Sequence, residues 1–219
     1  MSGKAQNLLI VMVDEMSALA VGCYGNPIVK TPNIDRLAAW GVRFADAYST
    51  SPICIPARAA FATGRYPHQT GYWDNVFACD GQVKGWAHRL QAAEVHTLSI
   101  GKLHYVDGSI DSGLDEQIMA MHLFGGGDVY GLEREDPPAR PQSATLAAEV
   151  QAGDSGYTRY DKDIAAATVD WLHARAGAGD AAPFALFASF MAPHFPLTVP
   201  QDHVDLYDPA DIVLPDKPR

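Results

Sequence analysis

The run Asn7-Leu8-Leu9-Ile10-Val11-Met12-Val13-Asp14 places six consecutive apolar residues between an amide and an acid. A short apolar run without alternation is the pattern of a strand buried on both faces, as inside a parallel α/β sheet. It is far shorter than the ~20 apolar residues of a membrane helix, and it ends in an acid rather than in a signal-peptide cleavage region. Phe184 to Met191 repeats the pattern, and Thr97 to Ile100 is a shorter version of it. Val42 to Tyr48 is a further strand candidate.

Helices are expected between these strands. Thr31-Pro32-Asn33 supplies a cap and a proline at the first helical position, with Ile34, Leu37 and Ala38 on one face and Gly41 as the stop. Pro56 to Thr63 is alanine-rich and stopped by Gly64; Ala87 to Ala93 is a third helix. Tyr160 to Ala176 is the longest, with Ile164, Val169, Trp171 and Leu172 toward the core. Asp107 to Gly156, which holds Gly125-Gly126-Gly127, Asp136-Pro137-Pro138 and Arg140-Pro141, reads as long loops with brief helices, and the tail from Pro200 reads as extended. Strand–helix alternation gives an α/β class: a mostly parallel or mixed sheet with helices on both faces, in a single unit spanning 1–219 with no internal repeat.

Lys plus Arg number 16 and Asp plus Glu 26 in 219 residues, a formal charge of −10. That balance argues against a general grip on nucleic acid or on an anionic membrane surface. One basic pocket for a small anion remains compatible with it. At 47% hydrophobic and 19% charged, the chain is too apolar for disorder and too charged for a membrane bundle. Cys23, Cys54 and Cys79 are too few, and odd in number, for a disulfide framework, and a cytoplasmic protein is the expectation.

Three expected strand ends carry reactive side chains: Asp14, Lys102 with His104, and His194. Ligands of open α/β sheets bind at that edge, although an Asp there also serves as a helix cap and a strand-end His is often satisfied by backbone. Ser51-Pro52-Ile53-Cys54-Ile55-Pro56-Ala57-Arg58 leads into Thr63-Gly64-Arg65. Cys54 precedes a proline able to start a helix, so it faces free N–H donors and the positive end of the helix dipole. Arg58, four residues on, is placed to fold back toward it. The combination is a nucleophile in an anion-receiving position; taken alone, Cys54 also fits a buried structural thiol.

The spacing Cys54-x-Pro56-x-Arg58 followed by Thr63-Gly64 resembles the signature of the type I sulfatases of the alkaline phosphatase superfamily. Four more stretches resemble that family in order: Val13-Asp14, Thr31-Pro32-Asn33-Ile34-Asp35, Gly101-Lys102-Leu103-His104, and Pro193-His194-Phe195-Pro196. The resemblance implies an alkaline phosphatase-like fold and hydrolysis of a sulfate ester by formylglycine made from Cys54. It implies a divalent ion, Ca²⁺ or another such as Mn²⁺, held by Asp14 and the oxygen at position 54, with Glu15 a third candidate. Arg58 would hold the formylglycine oxygen and Lys102 the sulfate. His104 would take the proton that triggers hemiacetal collapse, and His194 would contact the sulfate or protonate the leaving oxygen. Tyr72-Trp73-Asp74-Asn75 resembles a choline-sulfatase-like stretch, in which Asn75 would bind a sulfate oxygen and Trp73 line the pocket; an aromatic turn packed on the core fits Trp73 equally. His68 is a candidate supporting residue near the nucleophile, and the other histidines are read as structural.

The family's later Asp-Asn-Gly or Asp-His-Gly segment, which completes its metal site, is not found. The expectation is the front part of a sulfatase catalytic domain, incomplete at its C-terminus and needing the remainder for activity, with an exposed apolar sheet surface. Implied partners are a small sulfate ester, the formylglycine-generating enzyme, and a homo-oligomeric copy or a C-terminal complement. Two alternatives stand beside this reading: a phosphonate monoester or phosphodiester hydrolase with the same site, and a non-catalytic sulfatase-like fragment.

Overall fold

A computed structural model describes residues 6–123, 150–179 and 182–212. Four strands, β1 (Leu8–Met12), β2 (His96–Lys102), β3 (Glu116–Met121) and β5 (Phe184–Ser189), form one sheet in the order β1-β5-β2-β3. Every pairing in it is parallel. Two short strands, β4 (Gln151–Ala152) and β6 (Thr198–Val199), pair separately, also in parallel.

The helices form where the local chemistry directs. Pro32 opens α1 (Pro32–Trp40), and Gly41 closes it on the Leu37 carbonyl. α2 (Cys54–Thr63) ends on Gly64, whose φ of 68° suits only a residue without Cβ strain. α3 (Pro67–Thr70) and α4 (Trp86–Gln91) are short. α5 (Gly156–Gly177) starts at Ser155, whose side chain accepts from the Thr158 amide at 3.0 Å. α6 (Gln201–Val204) follows β6.

Period-two alternation along β5 gives the sheet two covered faces. On one, Phe184 and Leu186 pack with Leu98 and Ile100 of β2 against Ile164 of α5. On the other, Phe187 joins Leu103, Tyr105 and the small face of α2, Ala59 and Ala62. β5 is buried along its whole length, as the apolar run Phe184 to Ala188 predicts.

Several expectations are corrected. The Leu8–Val13 run is not interior: β1 pairs only with β5 among the described residues, and Leu8, Leu9 and Val11 are 44%, 46% and 62% exposed. Val42 to Tyr48 forms no strand; no neighbouring strand among the described residues offers it hydrogen bonds, and Val42, Phe44 and Tyr48 are exposed. Leu37 and Trp40 of α1 are exposed as well, so its apolar face has no cover among the described residues. β3 arises inside the stretch read as irregular. In α5, Val169 is half exposed and Thr168 takes the buried position, donating to the Ile164 carbonyl. The tail is not simply extended, since it contains α6 and a 3-10 turn at Pro209–Asp211. The glycine- and proline-rich stretches between 124 and 149 lie outside the described residues.

Candidate active site

Parallel strands put all their carboxyl ends on one edge, and register aligns them here. Met12 pairs with Ser189, and Ser189 with Gly101. Asp14 follows β1, Lys102 closes β2, and the 191–194 segment follows β5. The β2–β3 register shifts between Ile100 and Lys102, where Gly101 has φ of 98°. A Cβ at Gly101 would strike the Ser189 carbonyl and the Ile164 side chain. This glycine therefore lets β2 and β5 approach while turning Lys102 toward Asp14.

The centre is a buried charge cluster. Lys102 is fully buried, and its Nζ donates to Asp14 Oδ2. Arg58 Nη1 donates to the Lys102 carbonyl at 2.7 Å and to Ser189 Oγ at 2.8 Å. Arg58 Nη2 lies 3.7 Å from Asp14 Oδ1. The guanidinium thus reaches the strand ends rather than simply folding back toward Cys54. Burial pushes the Arg58 pKa down, and Asp14 and Cys54 oppose that shift. Two cations face one carboxylate, an excess of one positive charge in a region where unpaired charge is costly.

His104 adjoins this cluster with φ of 57°, and its backbone N–H donates to the Met121 carbonyl at 2.8 Å. Burial, then the positive charges of Lys102 and Arg58, hold its pKa down at about 3. The imidazole is neutral near neutral pH, and an anion beside Lys102 and Arg58 would offset the charges that oppose its protonation. Its Nδ1 is buried without a hydrogen-bond partner among the described residues.

Cys54 is the first residue of α2, two positions earlier than proline placement predicts. Asn75 Oδ1 lies 3.5 Å from Cys54 Sγ and accepts from the Ile55 amide at 3.2 Å. Asn75 thereby satisfies a free N–H of the helix start and touches the nucleophile position. Cys54, Arg58, Asp14 and Glu15 line an open cavity of about 650 Å³. Trp73 is half exposed and is not in that lining.

His194 Nδ1 lies 2.6 Å from the Phe195 carbonyl, and its Nε2 lies 3.6 Å from Glu15 Oε1. The ring meets Tyr157 edge-on at 6.0 Å. His68 is exposed and stacks on Tyr66, apart from the site. Asp14, Cys54, Arg58, Asn75, Lys102, His104 and His194 are thus gathered at one sheet edge. Ser189 escaped sequence reading, although a polar residue ending an otherwise apolar strand was a signal for it.

For a divalent ion the fit is partial. Asp14 is a hard oxygen ligand of the right kind, but Lys102 and Arg58 already engage its carboxylate. Glu15 is turned to His194. Among the described residues no three His, Cys, Asp or Glu side chains converge as a metal site. Asp14 and an oxygen at position 54 are therefore a contribution to a site, not a complete one.

The family model for sulfatases matches residues 6–218, and the chain belongs to the sulfatase family. The Escherichia coli (strain K12) protein named uncharacterized sulfatase YidJ is 34% identical over 210 residues, covering 93% of this chain and 41% of that protein. The choline-sulfatase of Rhizobium meliloti is 27% identical, over 96% of this chain and 42% of its own. Among solved structures, Ps i-CgsB in complex with k-i-k-neocarrahexaose aligns with a TM-score of 0.69 at 25% identity, covering 95% of this chain and 49% of that one. The phosphonate monoester hydrolase of Agrobacterium radiobacter aligns with a TM-score of 0.67 at 20% identity, over 94% of this chain and 44% of its own, which shows a shared fold. The chain spans about two-fifths of the length of these curated relatives. Sulfatases generally use formylglycine and a divalent metal, and the α/β fold is the alkaline phosphatase-like one.

Proposed function

We propose that this chain carries the nucleophile-bearing part of a sulfuric ester hydrolase, with Cys54 converted to formylglycine by a formylglycine-generating enzyme. The observation that carries the reading is the surplus of buried positive charge at the strand ends, beside a residue at a helix N-terminus. An anionic ester group neutralises that surplus.

In this reading the hydrated aldehyde at position 54 offers two hydroxyls. One attacks sulfur and releases its proton to water; an O–S bond forms, the S–O bond to the alcohol breaks, and His194 supplies the proton that leaves with the alcohol and is reprotonated from water. The second hydroxyl then gives its proton to neutral His104. The hemiacetal C–O bond breaks, sulfate departs, the aldehyde re-forms, and water hydrates it again. Arg58 and Lys102 hold charge on the sulfate and formylglycine oxygens, and Asn75 orients the attacking group. A bound Ca²⁺ or Mn²⁺ would supply further charge neutralisation, with Asp14 and the oxygen at position 54 as this chain's ligands. The other ligands would come from a C-terminal complement, consistent with the greater length of the relatives. A cytoplasmic location remains part of the proposal, supported by three free cysteines.

The test is release of inorganic sulfate from 4-nitrocatechol sulfate against hydrolysis of a phosphonate monoester. The protein is made with the modifying enzyme and joined to the remainder of a family fold. Faster sulfate release supports the proposal; a preference for the phosphonate ester shifts it to the alternative hydrolase, and inactivity on both supports the non-catalytic one.

A further inference from the structure

A second cavity of about 480 Å³ lies between the opening turns of α5 and residues 190–203. His194 lines it, while Glu15, the ion-pair partner of His194, lines the cavity that holds Cys54. The Glu15–His194 pair therefore joins the lining of one space to the lining of the other. The residue assigned to the leaving oxygen faces the second space, and the nucleophile faces the first.

The walls of this second cavity define what it would accept. Tyr157, Phe190, Pro193, Pro196, Leu197 and Val199 contribute apolar surface. Several of its polar groups have partners of their own. The Asp161 carboxylate accepts from the Met191 and Ala192 amides, each at 2.7 Å, which fixes the segment before His194 onto α5. Ser155 and Thr158 hydroxyls pair with each other at 3.0 Å. Lys162 lies 3.7 Å from Asp154, and His203 lies 3.0 Å from Asp202. A polyhydroxylated alcohol would lay its hydroxyls against these apolar walls, which offer them no partner. A flat apolar group would gain burial and aromatic contact with Tyr157. The volume falls within the range typical of small-molecule sites.

We infer that this cavity holds the alcohol portion of the ester, and that the alcohol is apolar and most readily aromatic. The inference rests on the hydrolase reading above and names the substrate class of that same site.

The experiment titrates the 219-residue chain with 2-naphthol, inorganic sulfate, 2-naphthyl sulfate and D-glucosamine 6-sulfate. Saturable binding of 2-naphthol is expected, weakened about tenfold or more by Leu197→Asp and by Ala165→Trp, which fills the space. Leu197 is 44% exposed, so its replacement leaves the core intact. 2-Naphthyl sulfate is expected to displace both naphthol and sulfate, and the sugar sulfate to displace sulfate alone. Absence of saturable naphthol binding, or binding indifferent to both variants, overturns the inference. So does displacement of sulfate alone by 2-naphthyl sulfate. The sulfate titration reads the hydrolase proposal separately: no sulfate binding counts against that proposal, whatever naphthol does.

Discussion

Replacing His104 by Asn should remove a defined part of the protein's acid sensitivity. Asn tolerates the left-handed backbone at this position, so the change tests the ring rather than the turn. Folded His104 is held at about 3, against its ordinary value of 6.5. Between those values the unfolded chain binds a proton that the folded chain refuses. Stability therefore rises with pH through that window and is lost as pH falls through it. At about pH 5, roughly 1.5 units below the free value, the loss is about 2 kcal/mol at ~1.4 kcal/mol per unit. Urea unfolding near pH 8 and near pH 5 measures it in both proteins, and the carboxylates common to both cancel in the difference. The wild type should lose about 2 kcal/mol more than His104→Asn. Equal losses would refute the claim that a buried, neutral imidazole sits beside Lys102 and Arg58.

Other substitutions test the remaining parts of the site. Gly101→Ala drives a Cβ into the Ser189 carbonyl and should cost about 3 kcal/mol or more, read as a lower denaturation midpoint. Asp14→Asn leaves Arg58 and Lys102 without their carboxylate and should cost about 3–5 kcal/mol. Lys102→Met leaves Arg58 balanced by Asp14, so it should cost less stability than Asp14→Asn while abolishing sulfate binding; calorimetric titration and urea unfolding read the two effects separately. Asn75→Ala removes the acceptor for the Ile55 amide and should cost about 1 kcal/mol.

Much of the site could be read from the chain because its residues sit next to strong local signals. Asp14, Lys102, His104 and His194 follow apolar runs, and Cys54 precedes an alanine-rich helix. Such signals fix position along the chain but not neighbours in space. Helical spacing placed Arg58 one turn from Cys54, yet Ser189 and the Lys102 carbonyl, 131 and 44 residues away, take its hydrogen bonds. β1 looked interior because an apolar run does not report how many strands flank it. β3 was missed because Glu116 and Gln117 open it, and a strand with one neighbour among the described residues needs no continuous apolar pattern. Val42 to Tyr48 has strand-like composition, but a strand exists only where a partner completes its ladder.

Formylglycine at position 54 is what the proposed chemistry depends on, and the mass of the peptide Phe44 to Arg58 reads it directly. The protein would come from cells that contain the modifying enzyme, with the chain joined to the rest of a family fold. The proposal predicts the mass of the aldehyde or its hydrate at residue 54. An unmodified thiol in that protein would contradict it.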